Sequence, residues 1–311
     1  MKYARLAITL FIVGSIVSFY LLIPSTIKVS TFKITAANEL NILRLITNHN
    51  LMFKSMANFK DSNDQKIKIN DVHFTINNAL SNLIQIDIAT NKIQTKSFIT
   101  VNSINRDSAA IHWFFEIKTG WNPLSRWSDY QEAKKIKKAS AQLLNEMKSF
   151  VEQPINIYGF DIKEITLNDT LLLVTKFKCD KRPTNNQIYT AADELEKYLK
   201  KFNQKAINNP MVTILDNQNY DYTVMVGLSI SSKVPETDKY RLKRMPVNGK
   251  MFIANVTGGE LTIQNGYEAL KNYLLDAKRP SPAVPFELLI NDRRLNSDST
   301  KWQTRIYYPV M

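Results

Sequence analysis

The sequence predicts an α+β protein built as two units behind an N-terminal apolar helix. Three observations predict it. An uncharged run of 18 residues opens the chain, several short strands lead into one long amphipathic helix, and a strand–helix–strand–strand pattern occurs twice in the last half. The length of 311 residues suits two domains of ordinary size. With 44% hydrophobic and 22% charged residues, the chain can bury sizeable cores, which excludes a disordered protein.

Residues 6–23 (LAITLFIVGSIVSFYLLI) contain no charge. As a helix rising ~1.5 Å per residue they span about 27 Å, enough for the hydrocarbon core of a bilayer. Lys2 and Arg5 precede the run and Pro24 closes it. A cleaved signal peptide shares the charged start and apolar centre, but its apolar part is about 7–15 residues and ends at an Ala-x-Ala-like site. Ile23-Pro24-Ser25 is a poor match, so we expect an uncleaved single-pass anchor over 6–23 behind a short tail, 1–5. Lys2 and Arg5 favour a cytoplasmic N-terminus, which places the remaining residues outside; Lys28, Lys33 and Arg44 beyond the run weaken that bias.

The first unit is expected over 28–152. Residues 31–36 alternate apolar and polar as a strand, and Leu40, Ile42, Leu43, Leu45 and Ile46 mark a helix. Short strands fill 67–119. A long helix follows over 129–151, where Ile136, Ala139, Leu143, Met147 and Phe150 step by three and four into one stripe. Pro154 marks the boundary. The second unit, 155–311, reads strand 162–176, helix 188–202 and strands 211–215 and 222–230. It then repeats as strand 250–257, helix 263–275 and strands 284–291 and 304–310. Two such repeats build one antiparallel sheet with both helices on one face, leaving the other face for a concave pocket.

Composition removes several function classes. The lone Cys179 excludes an intramolecular disulfide and any cysteine-based metal cage. His49, His73 and His112 lack metal-ligand spacing, and the eight glycines form neither GxGxxG nor a P-loop. No metal or cofactor is expected. The net charge of +13 fits nucleic acid, anionic lipid or a lysine-rich surface. Its clusters, at 134–138, 197–201, 239–244 and Arg293-Arg294, are mostly spaced charges of solvated faces without a nucleic-acid motif, so no nucleic-acid partner is expected.

Two stretches resemble known families. Trp113-Phe114-Phe115, Gly120-Trp121-Asn122-Pro123-Leu124-Ser125-Arg126 and Met147-Lys148-Ser149-Phe150-Val151-Glu152 resemble the end of polyketide-cyclase/START-like (SRPBCC) domains. That resemblance implies a helix-grip fold for 28–152 with an apolar cavity lined by Ile136, Leu143, Met147, Phe150, Trp113 and Phe115. The family's W-x-x-W segment is missing; Asn50-Leu51-Met52-Phe53-Lys54 stands there, which implies a reduced or closed cavity. In the second unit, 250–254, Gly258-Gly259, the helix around Tyr267, 285–292 and 304–310 resemble the GyrI-like, or AraC effector-binding, domain. That family is a tandem β-α-β-β pair that binds small molecules. The combination with an anchor resembles a bacterial inner-membrane arrangement lacking the helix-turn-helix of transcription regulators.

Glu287 is the sharpest candidate residue. Val284, Phe286, Leu288 and Ile290 share one strand face suited to packing under the helices, which turns Glu287 and Leu289 to the opposite face, where the pocket is expected. The resemblance implies that this acid sits at a pocket floor and pairs with cationic, aromatic ligands. Trp302, Tyr308, Tyr222, Phe252 and Tyr267, with Tyr220, are the aromatic residues available to wall it. Three functions stay open at this point. One is a non-enzymatic, membrane-tethered sensor of an amphipathic or cationic small molecule. Another is a hydrolase of small electrophilic compounds using Glu287 with a tyrosine, and the third is an interaction module whose pockets are filled by side chains.

Overall fold

The computed structural model describes residues 2–59, 66–80, 83–167, 170–217 and 221–311, with side chains described for all of these but 2, 4–6 and 78–80. The fold is α+β with two antiparallel sheets, one in each of two compact units, 1–157 and 158–311.

The first unit opens with α1 (Lys2–Leu22), β1 (Thr26–Thr35), α2 (Glu39–Thr47) and α3 (His49–Ser55). A meander follows: β2 (Lys66–Ile69), β3 (Val72–Leu80), β4 (Leu83–Ala89), β5 (Gln94–Asn105) and β6 (Ser108–Lys118). α4 (Pro123–Val151) and the short α5 (Pro154–Tyr158) end it. β1 returns to pair with β6 along its whole length, so the sheet order is β1-β6-β5-β4-β3-β2. Inward residues alternate along β6, with Ala109, Ile111, Trp113, Phe115 and Ile117 buried. They meet the α4 stripe of Ile136, Ala139, Leu143 and Met147 in one apolar cluster. Trp113, Phe115, Ile136, Leu143 and Met147 are fully packed, so the side chains expected to line a cavity serve as core.

α4 starts six residues before the expected 129. Asn122 caps it, accepting the Leu124 N–H at 2.9 Å, and Pro123 takes the first turn, where no amide donor is needed. The periodicity missed this turn because it buries no apolar face: Leu124 is 80% exposed and Trp121, beside it, 87%. Arg126 is the buried residue here. Its guanidinium donates to the Ile23 carbonyl at 3.1 Å and lies 4.5 Å from the Tyr20 ring, fastening the end of α1 to the start of α4.

Among the described residues, no helix is long and apolar enough to cross a membrane. α1 covers most of the uncharged run, and its apolar side chains Ile8, Leu10, Phe11, Leu21 and Leu22 are exposed.

The second unit comprises β7 (Ile162–Thr166), β8 (Leu171–Cys179), α6 (Asn185–Lys200), β9 (Met211–Asp216), β10 (Tyr222–Ile230) and β11 (Arg241–Arg244). The repeat follows as β12 (Lys250–Thr257), α7 (Glu260–Asp276), β13 (Phe286–Leu289) and β14 (Gln303–Val310). The sheet order is β11-β8-β10-β9-β13-β14-β12-β7. Its middle six strands read the same from either end, β8-β10-β9 against β12-β14-β13, as a duplication requires. The halves join where β9 pairs β13 through only two residues, Val212 with Glu287 and Met211 with Leu288. The expected strand 162–176 is two strands, and β11 was not expected from the sequence.

Local chemistry sets both helices. Thr184 and Gln187 form a reciprocal capping box at α6. Gly258 before α7 has φ +143, where a Cβ would strike the Thr262 hydroxyl at 2.6 Å. Gly266 within α7 permits close approach to the sheet, since a Cβ there would lie 2.8 Å from Val256 and 2.9 Å from Ile306.

Candidate functional site: a buried carboxylate at the seam of the two repeats

β13 carries the site. Phe286 and Leu288 belong to a cluster with Met251, Ile253 and Tyr307, with the Phe286 and Tyr307 rings stacked at 4.8 Å. Leu289 packs instead among the α6 residues, and Glu287 accepts from Tyr267 of α7. Glu287 and Leu289 therefore share a face, as the alternation requires, but it is the helix-covered face. This corrects the expectation that Phe286 and Leu288 pack under the helices and Glu287 turns away. Both sides of the central sheet are apolar, so alternation gives the parity of each residue and leaves open which side the helices occupy.

Glu287 is 4% exposed. Arg293, 6% exposed, donates from Nη2 to its Oε2 at 3.2 Å, and the Tyr267 hydroxyl lies 3.4 Å from its Oε1. The same Nη2 reaches the Thr304 hydroxyl at 2.6 Å, while Nη1 is 3.5 Å from the Asn185 side-chain oxygen. The guanidinium lies 5.2 Å from the Trp302 ring centre, within cation–π range. Trp302 is itself held by its indole N–H on the Asn296 carbonyl at 2.9 Å. The Arg293 backbone N–H donates to the Tyr189 hydroxyl at 3.0 Å, and that hydroxyl donates to the Asn291 carbonyl at 2.9 Å. The Arg293 Nε is buried without a hydrogen-bond partner among the described residues. Arg182, just before α6, forms an ion pair with Glu260 at the start of α7.

Burial pushes the Glu287 carboxyl above the ordinary carboxylate value. Arg293 opposes this through its charge and hydrogen bond, Glu260 adds to the rise and Arg182 reduces it. Burial, followed by the neighbouring Glu287, raises the Tyr267 phenol far above its usual value, so it remains a hydroxyl donor. The arrangement is a desolvated acid whose charge is met by one resident guanidinium and one neutral donor.

The sequence-derived candidates divide. Glu287, Tyr267 and Trp302 converge, the last through Arg293. Phe252 and Tyr308 pack in the α7 core instead, Phe252 edge-on to Tyr273 at 4.9 Å. Burial raises the Tyr308 phenol as well. Tyr222 pairs with Asp216 at the end of β9 opposite to Val212, the partner of Glu287, and so does not share the site. Tyr220 lies outside the described residues. Arg293, Thr304, Asn185 and Tyr189 were missed. Arg293 was expected on a solvated basic surface with Arg294; Arg294 is indeed partly exposed, paired with Asp193 and Asp292, but its neighbour turns inward. The one signal for this was Trp302 and Glu287 flanking a loop that holds an arginine.

No protein-family model matches the sequence, and no curated protein does. Among solved structures, the C-terminal domain of EcmrR is similar at 13% identity over 49% of this chain and 98% of that one, with a TM-score of 0.39. SAV2435 bound to tetraphenylphosphonium shares 13% identity over 48% of this chain and 93% of that chain, at a TM-score of 0.33. Zhui aromatase/cyclase from Streptomyces sp. R1128 shares 8% over 42% and 96%, at 0.30. GyrI-like and START-like folds are thus both present among the structural neighbours.

Proposed function

We propose that the chain is a membrane-tethered small-molecule-binding protein acting by binding and not by catalysis, and that its second unit receives an amphipathic cation at Glu287. The observation that carries this reading is a carboxylate buried to 4% exposure whose ionic partner among the described residues is Arg293, set in the loop between β13 and β14. Removing a partner from a buried pair costs about 3–5 kcal/mol, so the acid accepts only an exchange of one cation for another. Arg293 suits exchange, because its Nε has no hydrogen-bond partner among the described residues and its contact to Asn185 is long. An incoming flat cation gains the same carboxylate and the Trp302 face that Arg293 now occupies. Engagement of Glu287 by Arg293 and Tyr267 also favours binding over the hydrolase alternative, which needs a free general base.

The tether is supported by the uncharged run and by what surrounds its exit. Leu21 and Leu22 are exposed at the end of α1, and Trp121, Leu124 and Trp127 are exposed where α4 begins beside it. Exposed aromatic and aliphatic side chains at a helix exit suit the bilayer interface. Single-pass attachment to the bacterial inner membrane with a cytoplasmic N-terminus is part of this proposal and rests on the uncharged run 6–23 read whole, beyond the described side chains of α1, and on Lys2 and Arg5 before it.

The test is a titration with tetraphenylphosphonium in lipid nanodiscs, using the full chain carrying Trp113→Phe, Trp121→Phe and Trp127→Phe, so that fluorescence follows Trp302 alone. Saturable binding that weakens at least tenfold in Glu287→Gln is expected. No binding by the parent, or equal binding by the variant, refutes the reading.

A further inference from the structure

The sheet of the second unit has a cavity on the face that the helices leave uncovered. It measures about 370 Å³, within the range of small-molecule sites. Leu172, Val174, Met211, Met225, Met251 and Phe286 supply its apolar floor. The contributions follow the strand period: Leu172, Val174 and Lys176 of β8 face the cavity, whereas Leu173 and Phe177 pack with α6. Gly227 of β10 leaves room in the floor, since a Cβ there would press on Val174 at 3.1 Å. Met245-Pro246 after β11 and Ala283-Val284 before β13 form walls.

Charge gives the cavity a direction. Lys176, Lys243 and Arg244 line it, all three exposed, and among the described residues no carboxylate does. Lys176 and Lys243 have no carboxylate within ion-pair distance among the described residues. The register sets Lys243 beside Leu172 and Lys176 four residues farther along β8, so cations rim both ends of an apolar floor, which suits an apolar body with one compact anionic head. Methionines favour a flexible tail, because their unbranched, polarisable side chains repack around irregular shapes. At ~30 Å³ per water-sized group, the volume holds roughly a dozen such groups, which is one chain and not two.

We propose that this cavity binds a single-chain amphipathic anion, with its head at Lys243 and its tail over Met211, Met225 and Met251 towards Lys176, whose aliphatic stem covers the far end. The site is opposite in charge to the one at Glu287 and lies across the sheet from it, so the two proposals stand or fall separately.

The experiment uses the full chain in zwitterionic nanodiscs and a dodecanoate bearing a diazirine on its tail, with cross-links mapped by mass spectrometry. Adducts are expected on the peptides holding Met211, Met225 and Met251, removed by excess dodecanoate and kept in excess dodecyltrimethylammonium. The double variant Lys176→Glu/Lys243→Glu is expected to lower labelling at least tenfold. Met225→Trp, which fills the floor without touching the charges, is expected to do the same with an unchanged circular dichroism spectrum. Absence of adducts in these peptides overturns the proposal, as does equal protection by the cation or full labelling of the charge-reversed variant. Labelling by a diazirine-bearing phosphatidylglycerol in place of dodecanoate overturns the single-chain assignment.

Discussion

Replacing Arg293 with methionine tests the buried pair most directly. Methionine keeps an apolar stem of similar length and removes the charge. The parent carboxylate has one charged donor at 3.2 Å and one neutral donor at 3.4 Å, so Arg293→Met leaves a buried anion with the weaker of the two. Removing one partner of such a pair costs about 3–5 kcal/mol at neutral pH. The sign with pH follows from the raised carboxyl. A group whose folded pKa lies above its unfolded value, ~4.3 for Glu, favours the fold fully below that value and loses this contribution as pH rises through the folded pKa. In Arg293→Met the folded pKa climbs further, so the deficit is small in acid and opens as pH rises to neutrality. Protonation leaves at most an imperfectly bonded neutral acid, worth about 1–3 kcal/mol. Adding Glu287→Leu to Arg293→Met removes both charges, and apolar replacements of buried pairs are often neutral or stabilising, so the double variant should return to within about 1 kcal/mol of the parent. Hydrogen exchange of the β13 and β14 amides reads the second unit by itself, across pH 4–8. Arg293→Met within about 1 kcal/mol of the parent at pH 7, or a double variant no better than the single one, refutes the reasoning.

Other consequences are equally specific. Gly266→Ala places a Cβ against Val256 and Ile306 at 2.8 and 2.9 Å, and overpacking of this kind costs about 1–3 kcal/mol, read as an earlier unfolding midpoint of the second unit in urea. Glu164 accepts from Lys250 at 2.8 Å and Arg279 at 2.9 Å, the Lys250 bond foremost in depressing its carboxyl. Its contribution is present above the unfolded value and lost as pH falls through the lower folded pKa. Glu164→Gln should thus make stability less sensitive to acid, by no more than about 1 kcal/mol because the group is partly exposed; an acid limb steeper than the parent's would contradict this. In bilayers, single-tryptophan chains retaining Trp121 or Trp127 should be quenched by brominated lipid, and those retaining the buried Trp113 should not. Equal quenching of Trp113 and Trp121 would remove the support they lend to the tether.

Much of the fold was legible because its elements carry strong periods. The duplicated unit announced itself through two apolar helix stripes, and β12 and β10 were readable to within a residue from their apolar runs. The early turn of α4 was not, because it buries an arginine and exposes its apolar residues. At the site, Glu287 stood out as an acid in an apolar strand, and Tyr267 and Trp302 as nearby aromatics. Phe252 and Tyr308 were equally aromatic and equally placed, and their burial under α7 is decided by packing that composition does not encode. Arg293 is the instructive case. It stands beside Arg294 with the same charge and local surroundings, yet one meets solvent-facing Asp193 and Asp292 and the other a buried carboxylate.

The alternation around Glu287 settled, by itself, that this acid lies across the strand from Phe286 and Leu288, because side chains in a strand alternate with a period of two. Which side of the sheet the helices cover was decided only in three dimensions. A sheet that is apolar on both faces offers two equivalent patterns, and the close approach of α7 at Gly266 selects one, setting Tyr267 over the acid. The reversal of chain between β13 and β14 then brings Arg293 back to the carboxylate six residues behind it, a contact that no local pattern specifies. The same choice leaves the other apolar face, with its rim of lysine and arginine, as the open cavity.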